Sequence, residues 1–341
     1  MTQAVKHFSL HRINGTELQV IADVESGVLS VINVEEEVIR GYIDEGIWPH
    51  DQVMLFILQD MQPLVRQLQS IAELPPGGEQ VLQQRPIVNL YDLADRAGCQ
   101  VFVNCEAMAR EGYWQDATMT RALLAHEHAH PLAECDTTAA SRGLRLELLA
   151  ESLQDVLGAE SRYVEVCRVL GSLGHKLCLD APREVLTNDL TIRSGFADAL
   201  LSLDRHNVAN AKSSLVGREQ VADGVRRGVD TGELSRQAAD ALLMVGDMQG
   251  YLDLAMETAP FYRAGRESPA RDLEKTLEED VFSRLRPGIG VAYAGLRDQY
   301  IALQADLSVA ALTKWCEGVL GILANALADE GLKVEYRVSE V

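Results

Sequence analysis

Positive charge is scarce in this chain. Against 51 Asp and Glu stand 31 Lys and Arg, a formal net charge of −20, which argues against binding nucleic acid or an anionic membrane through the bulk surface. Long hydrophobic runs are also missing: none approaches the roughly 18 residues that a membrane-spanning helix needs. The opening MTQAVKHFSL lacks the apolar segment and small-residue cleavage site of a secretory signal, so a cytoplasmic location is expected. Six cysteines, at 99, 105, 135, 167, 178 and 316, include no C-x-x-C pair and read as reduced core thiols. No Ser/His/Asp order, phosphate-binding loop or EF-hand loop stands out. At 341 residues, 47% hydrophobic and 24% charged, the chain is globular and long enough for two or three domains.

Residues 16–34 read as a β-hairpin, TELQVIADV and GVLSVINV joined at Glu25-Ser26-Gly27. Helical patterns follow over 35–45 and 51–74, with Trp48-Pro49 as a breaker between them. Pro75-Pro76-Gly77-Gly78 can continue neither helix nor strand and marks a linker. Beyond it Ile87-Val88 is a short strand, 90–97 is helical up to Gly98, and 100–104 is strand-like. A helix then starts near Asp116 or Thr118 and meets Pro131 just after His130. From Ser141 onward nearly everything has helical periodicity, including a helix over 142–158; Lys333 to Val338 reads as an edge strand. The expected organisation is an N-terminal α+β module (1–74), a metal-binding domain (79–210) and a helical C-terminal region (211–341), together α+β and predominantly helical.

The chemistry concentrates at Leu123-Leu124-Ala125-His126-Glu127-His128-Ala129-His130, which contains H-E-x-x-H. On a helix, residues four apart share a face, so His126 and His130 can reach one ion from adjacent turns. Glu127 sits about 100° around the axis, beside the metal. Zinc brings the pKa of a water it holds to about 7, so a carboxylate there has a feasible proton to take. A catalytic zinc takes three protein ligands and leaves one position open. The third is sought downstream among Glu151, Glu147 and Asp136. On a helix over 142–158, Glu151 and Asp155 share a face, and Asp155 could hold the free ring N–H of a ligating histidine.

His126-Glu127-x-x-His130 with Glu151-x-x-x-Asp155 resembles the gluzincin pattern of the zincin metallopeptidases. The order helix, strand, loop, H-E-x-x-H helix over 90–130 is similar to that of small intracellular zinc peptidases that cleave repressors. The resemblance covers about residues 86–158. It implies a zincin-like core, His126, His130 and Glu151 as zinc ligands, Glu127 as general base and Asp155 behind a histidine. The H-E-x-x-H with Asp136 is also similar to the metzincin spacing, with Ala133 where that family has glycine. His128 stands where zincins carry an uncharged residue, and Pro131 should end or kink the helix.

His206, Tyr163, His175, Tyr113, Arg142 and Arg145 are the possible oxyanion donors. Gly288-x-Gly290-x-x-x-x-Gly295 reads as a turn between helices, 274–280 as a solvated charged face, and 310–327 as core or an oligomer interface. The expected function is zinc-dependent peptide-bond hydrolysis on a protein or peptide substrate. The alternative is a zinc-binding scaffold that binds a partner without cutting it.

Overall fold

The structure is a computed structural model that describes residues 5–70, 78–92 and 97–341. Its strands are β1 (His7–Ile13), β2 (Thr16–Ala22), β3 (Gln52–Leu58), β4 (Ile87–Tyr91), β5 (Gly98–Asn104), β6 (Leu144–Leu149) and β7 (Glu335–Glu340). The helices are α1 (Val28–Asp44), α2 (Gln62–Ser70), α3 (Gly78–Gln84), α4 (Cys105–Arg110), α5 (Ala117–Leu132), α6 (Asp136–Ser141), α7 (Ser152–Leu157), α8 (Glu160–His175), α9 (Ala181–Thr191), α10 (Ala197–Asp230), α11 (Arg236–Tyr251), α12 (Ala255–Arg263), α13 (Glu267–Asp280), α14 (Pro287–Ile301) and α15 (Val309–Asp329). Helix accounts for 67% of the residues, so the expectation of a predominantly helical α+β chain holds. Among the described residues, no helix is long and apolar enough to cross a membrane.

The chain divides into two units, 1–133 with 190–203, and 134–189 with 204–341. In the first, five strands lie in the order β1-β2-β3-β5-β4. The middle pairs β2/β3 and β3/β5 are parallel, and both outer pairs are antiparallel. α1 is the crossover from β2 to β3. Its buried positions, Val28, Val31, Ile32, Glu35, Val38, Ile39 and Tyr42, follow the three-and-four spacing of one helix face. Leu18, Val20, Val53, Leu55, Ile57, Val101 and Val103 are likewise fully buried on alternate strand positions. On the opposite sheet face, Phe56 and Phe102 stack at 4.8 Å, and Met61, Val65 and Leu82 pack with Val88 over Phe102.

Several expectations are corrected here. The hairpin is β1–β2, closed at Asn14-Gly15, where both residues have positive φ. The stretch read as its second strand is α1, and Gly27 is that helix's N-cap at φ 82. A Cβ on Gly27 would come within 2.7 Å of the Trp114 ring, so glycine is required twice over. Residues 52–58 form the central parallel strand β3 instead of the start of a helix over 51–74. Leu90 and Tyr91 belong to β4, not to a helix over 90–97, of which residues 93–96 lie outside the described residues. Pro75-Pro76-Gly77 also lies outside them. The boundary expected at 75–78 falls within the first unit, because β3 and β5 on either side share one ladder.

The second unit is helical apart from the ribbon β6–β7. Leu144 to Leu149 is strand, with Leu148 opposite Tyr336 and Glu147 opposite Arg337, so of the helix expected over 142–158 only Ser152–Leu157 (α7) is helical. The strand expected at 333–338 is β7. The Gly288–Gly295 stretch lies inside α14 and is not a turn. The apolar run 310–327 forms α15, with Leu312, Cys316, Val319, Leu320, Leu323 and Leu327 buried. Lys176–Asp180 is a π-helical turn. Its displaced carbonyls find other donors: Tyr300 Oη donates to Leu177 O at 2.8 Å, and the Cys316 thiol faces Cys178 O at 3.8 Å.

Candidate metal centre

α5 carries the H-E-x-x-H residues. Asp116 caps it, accepting from the N–H groups of Thr118 (2.9 Å) and Met119 (3.1 Å). The helix runs one residue past Pro131 and ends at Leu132, so the proline falls in the last turn, where its missing N–H costs one bond. His126 and His130 stand on successive turns with ring centroids 4.6 Å apart and planes at 78°. His130 is 3% exposed and His126 half-buried. Two imidazole nitrogens each 2.0–2.1 Å from a tetrahedral zinc would be about 3.3 Å apart, and rings this close fit that spacing.

Glu127 is 7% exposed. One carboxylate oxygen accepts the backbone N–H of Asn89 on β4 at 3.2 Å, and Asn89 Nδ2 donates to the Glu127 carbonyl at 3.2 Å. The half-exposed Arg85 guanidinium lies 4.0 Å from the other oxygen. Glu127 is therefore held in place with a cation nearby. The N–H that it engages points away from β5. Asn104 donates to Pro86 O in the β4–β5 ladder, and alternation then turns the backbone groups of Ile87, Asn89 and Tyr91 outward.

His128 belongs to a different structure. Its ring is fully buried, with Nε2 2.8 Å from Glu35 Oε1, itself at zero side-chain exposure. Trp48 meets the ring edge-on at 5.1 Å. Burial alone would lower the histidine's pKa, but the Glu35 carboxylate, helped by Cys99, outweighs it and raises the pKa to about 10. His128 is thus a cation locked to α1. Neither Asn89 nor Glu35 is singled out by the sequence motif. Glu35 does leave a trace there, as an acid set in the apolar stripe of α1.

The other expected residues lie in the second unit. Asp136 opens α6, Glu147 is in β6, Glu151 is the residue before α7, and Asp155 is inside α7. Glu147 and Glu151 therefore share no helix face, and the geometric reason for choosing between them disappears. Of the oxyanion candidates Tyr113 lies in the first unit, at 6% exposure. Arg142 is bound to Glu134 at 2.6 Å, Arg145 to Ser339 at 3.1 Å and His175 to Asp180 at 3.2 Å; Tyr163 and His206 lie on α8 and α10. Compared with known proteins, the chain matches no family model, no curated protein and no solved structure.

Proposed function

We propose that the protein is a zinc-dependent hydrolase of peptide bonds. The observation that carries this reading is the close pair of imidazoles, His126 and His130, on successive turns of α5, with the buried Glu127 carboxylate beside them. Those two histidines hold the metal. A carboxylate oxygen would complete the set, a donor that zinc takes together with imidazole nitrogens. Zinc supplies Lewis acidity that makes water a nucleophile near neutrality. Glu127 takes the proton of the attacking water and returns it to the departing amine. The Asn89 N–H holds one Glu127 oxygen and fixes the direction of the other.

A second reading rests on the same contacts. The two Asn89–Glu127 bonds tie α5 to β4, which is what a scaffold that keeps the motif for packing would need.

Glu127→Gln separates the two, assayed with unfolded proteins and peptides as substrates. A hydrolase variant keeps about one zinc per chain and its fold, and loses about 10²–10⁴-fold in turnover. Cleavage by the wild type that chelator does not abolish, or cleavage by Glu127→Gln at the wild-type rate, would refute the assignment.

A further inference from the structure

A second set of reactive side chains lies on β1, away from α5 in the sequence. His7, Ser9 and His11 alternate along one face of the strand, and all three are half-buried. Ser9 Oγ is 2.8 Å from His11 Nε2 and 3.0 Å from His7 Nε2. His11 Nδ1 is 2.8 Å from Glu36 Oε1 on α1, and Arg40, one turn later, pairs with the other Glu36 oxygen.

We propose that Ser9, His11 and Glu36 form a nucleophilic triad that hydrolyses small carboxylic esters and reacts with activated acyl or phosphonyl groups. The proton positions follow from the partners. Glu36 accepts only, so His11 carries its proton on Nδ1 and its Nε2 is an acceptor. Ser9 then donates its one hydroxyl proton to His11, and His7 donates Nε2–H to the Ser9 oxygen. This arrangement of protons is the one a serine nucleophile requires.

Donors for an oxyanion stand beside the serine. Glu17 donates its N–H to Asp51 O, toward β3, so the intervening β2 residues Leu18 and Val20 face β1. Their partners His11 and Ser9 direct their backbone groups at β2, leaving the N–H groups of Phe8 and Leu10 at the outer edge of the sheet. Among the described residues, no strand lies beyond β1. Leu29, two turns before Glu36 on α1, is 67% exposed and offers apolar surface to a short acyl chain.

In the reaction, Ser9 Oγ bonds to the ester carbonyl carbon as His11 Nε2 takes the hydroxyl proton. Collapse of the oxyanion breaks the carbon–alkoxy bond, and His11 returns the proton to the departing alcohol. Water repeats the two steps on the acyl-serine, releasing the carboxylic acid. This chemistry uses no metal and does not depend on the zinc reading.

The test treats the full chain with a fluorophosphonate, in which Ser9 Oγ displaces fluoride from phosphorus. Mass spectrometry is expected to place the adduct on Ser9 at the wild-type rate with or without chelator, and Ser9→Ala to abolish it. His11→Gln is expected to slow labelling by about 10²–10⁴-fold, the range of general-base catalysis, and Glu36→Gln by less. p-Nitrophenyl acetate hydrolysis should fall in the same order. Absence of a Ser9 adduct in the folded wild type, or equal labelling of wild type and a folded His11→Gln, would overturn the triad.

Discussion

Each unit of the protein has a carboxylic acid buried to 1% exposure or less, and Glu35 in one and Asp204 in the other are handled in opposite ways. Glu35, in the sheet unit, faces a base: His128 stands 2.8 Å away and is held protonated. Asp204, in the helical unit, is 1% exposed on α10 and faces another acid. Burial first, then the charge and hydrogen bond of Glu257 on α12, push its pKa well above the ordinary carboxylate range. Asn207 donates to the far side of Glu257 at 3.3 Å. A buried charge must be paired or neutralised. The sheet unit pairs Glu35, whereas the helical unit, which pairs Asp247 with Arg218 at 2.9 Å, neutralises Asp204 with a proton held between two acids. The lesson for the candidate centre is that His128 is committed to Glu35. Of the three histidines on α5, His126 and His130 are the two whose spacing suits one ion.

The largest effect should come from breaking the paired acid. His128→Ala leaves Glu35 buried with no counter-charge, and loss of one partner of such a pair costs about 3–5 kcal/mol. Denaturant titration checks this. A cost under about 1 kcal/mol would show that Glu35 needs no counter-charge and erase the contrast.

The second test uses pH on the neutralised acid. Asp204's pKa is raised in the folded chain, so its stabilising contribution is full below the unfolded value of about 3.9 and fades as pH rises through the folded value. Asp204→Asn should remove that decline. The variant is then expected to match or trail the wild type in acid and to exceed it at alkaline pH by an amount on the order of a few kcal/mol. Melting temperature against pH reads the outcome, and parallel curves for the two proteins would refute the shared proton.

Smaller effects on stability are expected at the metal histidines. In metal-free protein His126→Ala and His130→Ala should each cost about 1–2 kcal/mol, an ordinary figure for a packed side chain. Yet each should reduce zinc from about one per chain to none. Folded protein with the His128–Glu35 pair altered should still bind zinc. Equal zinc content in all of them would remove the centre.

How far these features could be read in advance varies with the range of the interaction. α5 was legible because its cap Asp116 and the four-residue spacing of His126 and His130 are local. β5 was legible as a β-branched, aromatic run. The hairpin lies one strand earlier than expected because Asn14-Gly15 is a stronger turn pair than Glu25-Ser26-Gly27. The run after Gly27 looked β-prone residue by residue, yet its buried positions have helical spacing, and the period decided. β6 has Leu144, Leu146 and Leu148 on one side, but leucine and glutamate favour helix, and its partner β7 lies nearly the whole second unit away in sequence. The pairs Glu35–His128 and His11–Glu36 bridge a strand or helix to another element, so residue spacing alone does not contain them.

The smallest effect distinguishes what Glu127 is for. In Glu127→Gln a carbonyl oxygen can still accept the Asn89 N–H, so the bond survives as a neutral one. The loss should stay within about 0.5–1.5 kcal/mol, the net worth of one hydrogen bond. Asn89→Ala removes the side-chain donor to the Glu127 carbonyl but keeps the backbone N–H that holds the carboxylate. It too should cost about 1 kcal/mol, and it should leave zinc content unchanged. If Glu127 is a base, the two variants are alike in stability and differ only in turnover, which Asn89→Ala retains. If Glu127 is an anchor, its charge is what binds α5 to β4 and Arg85. Glu127→Gln would then cost several times more than Asn89→Ala in denaturant titration, and the hydrolase reading would lose the residue on which it depends.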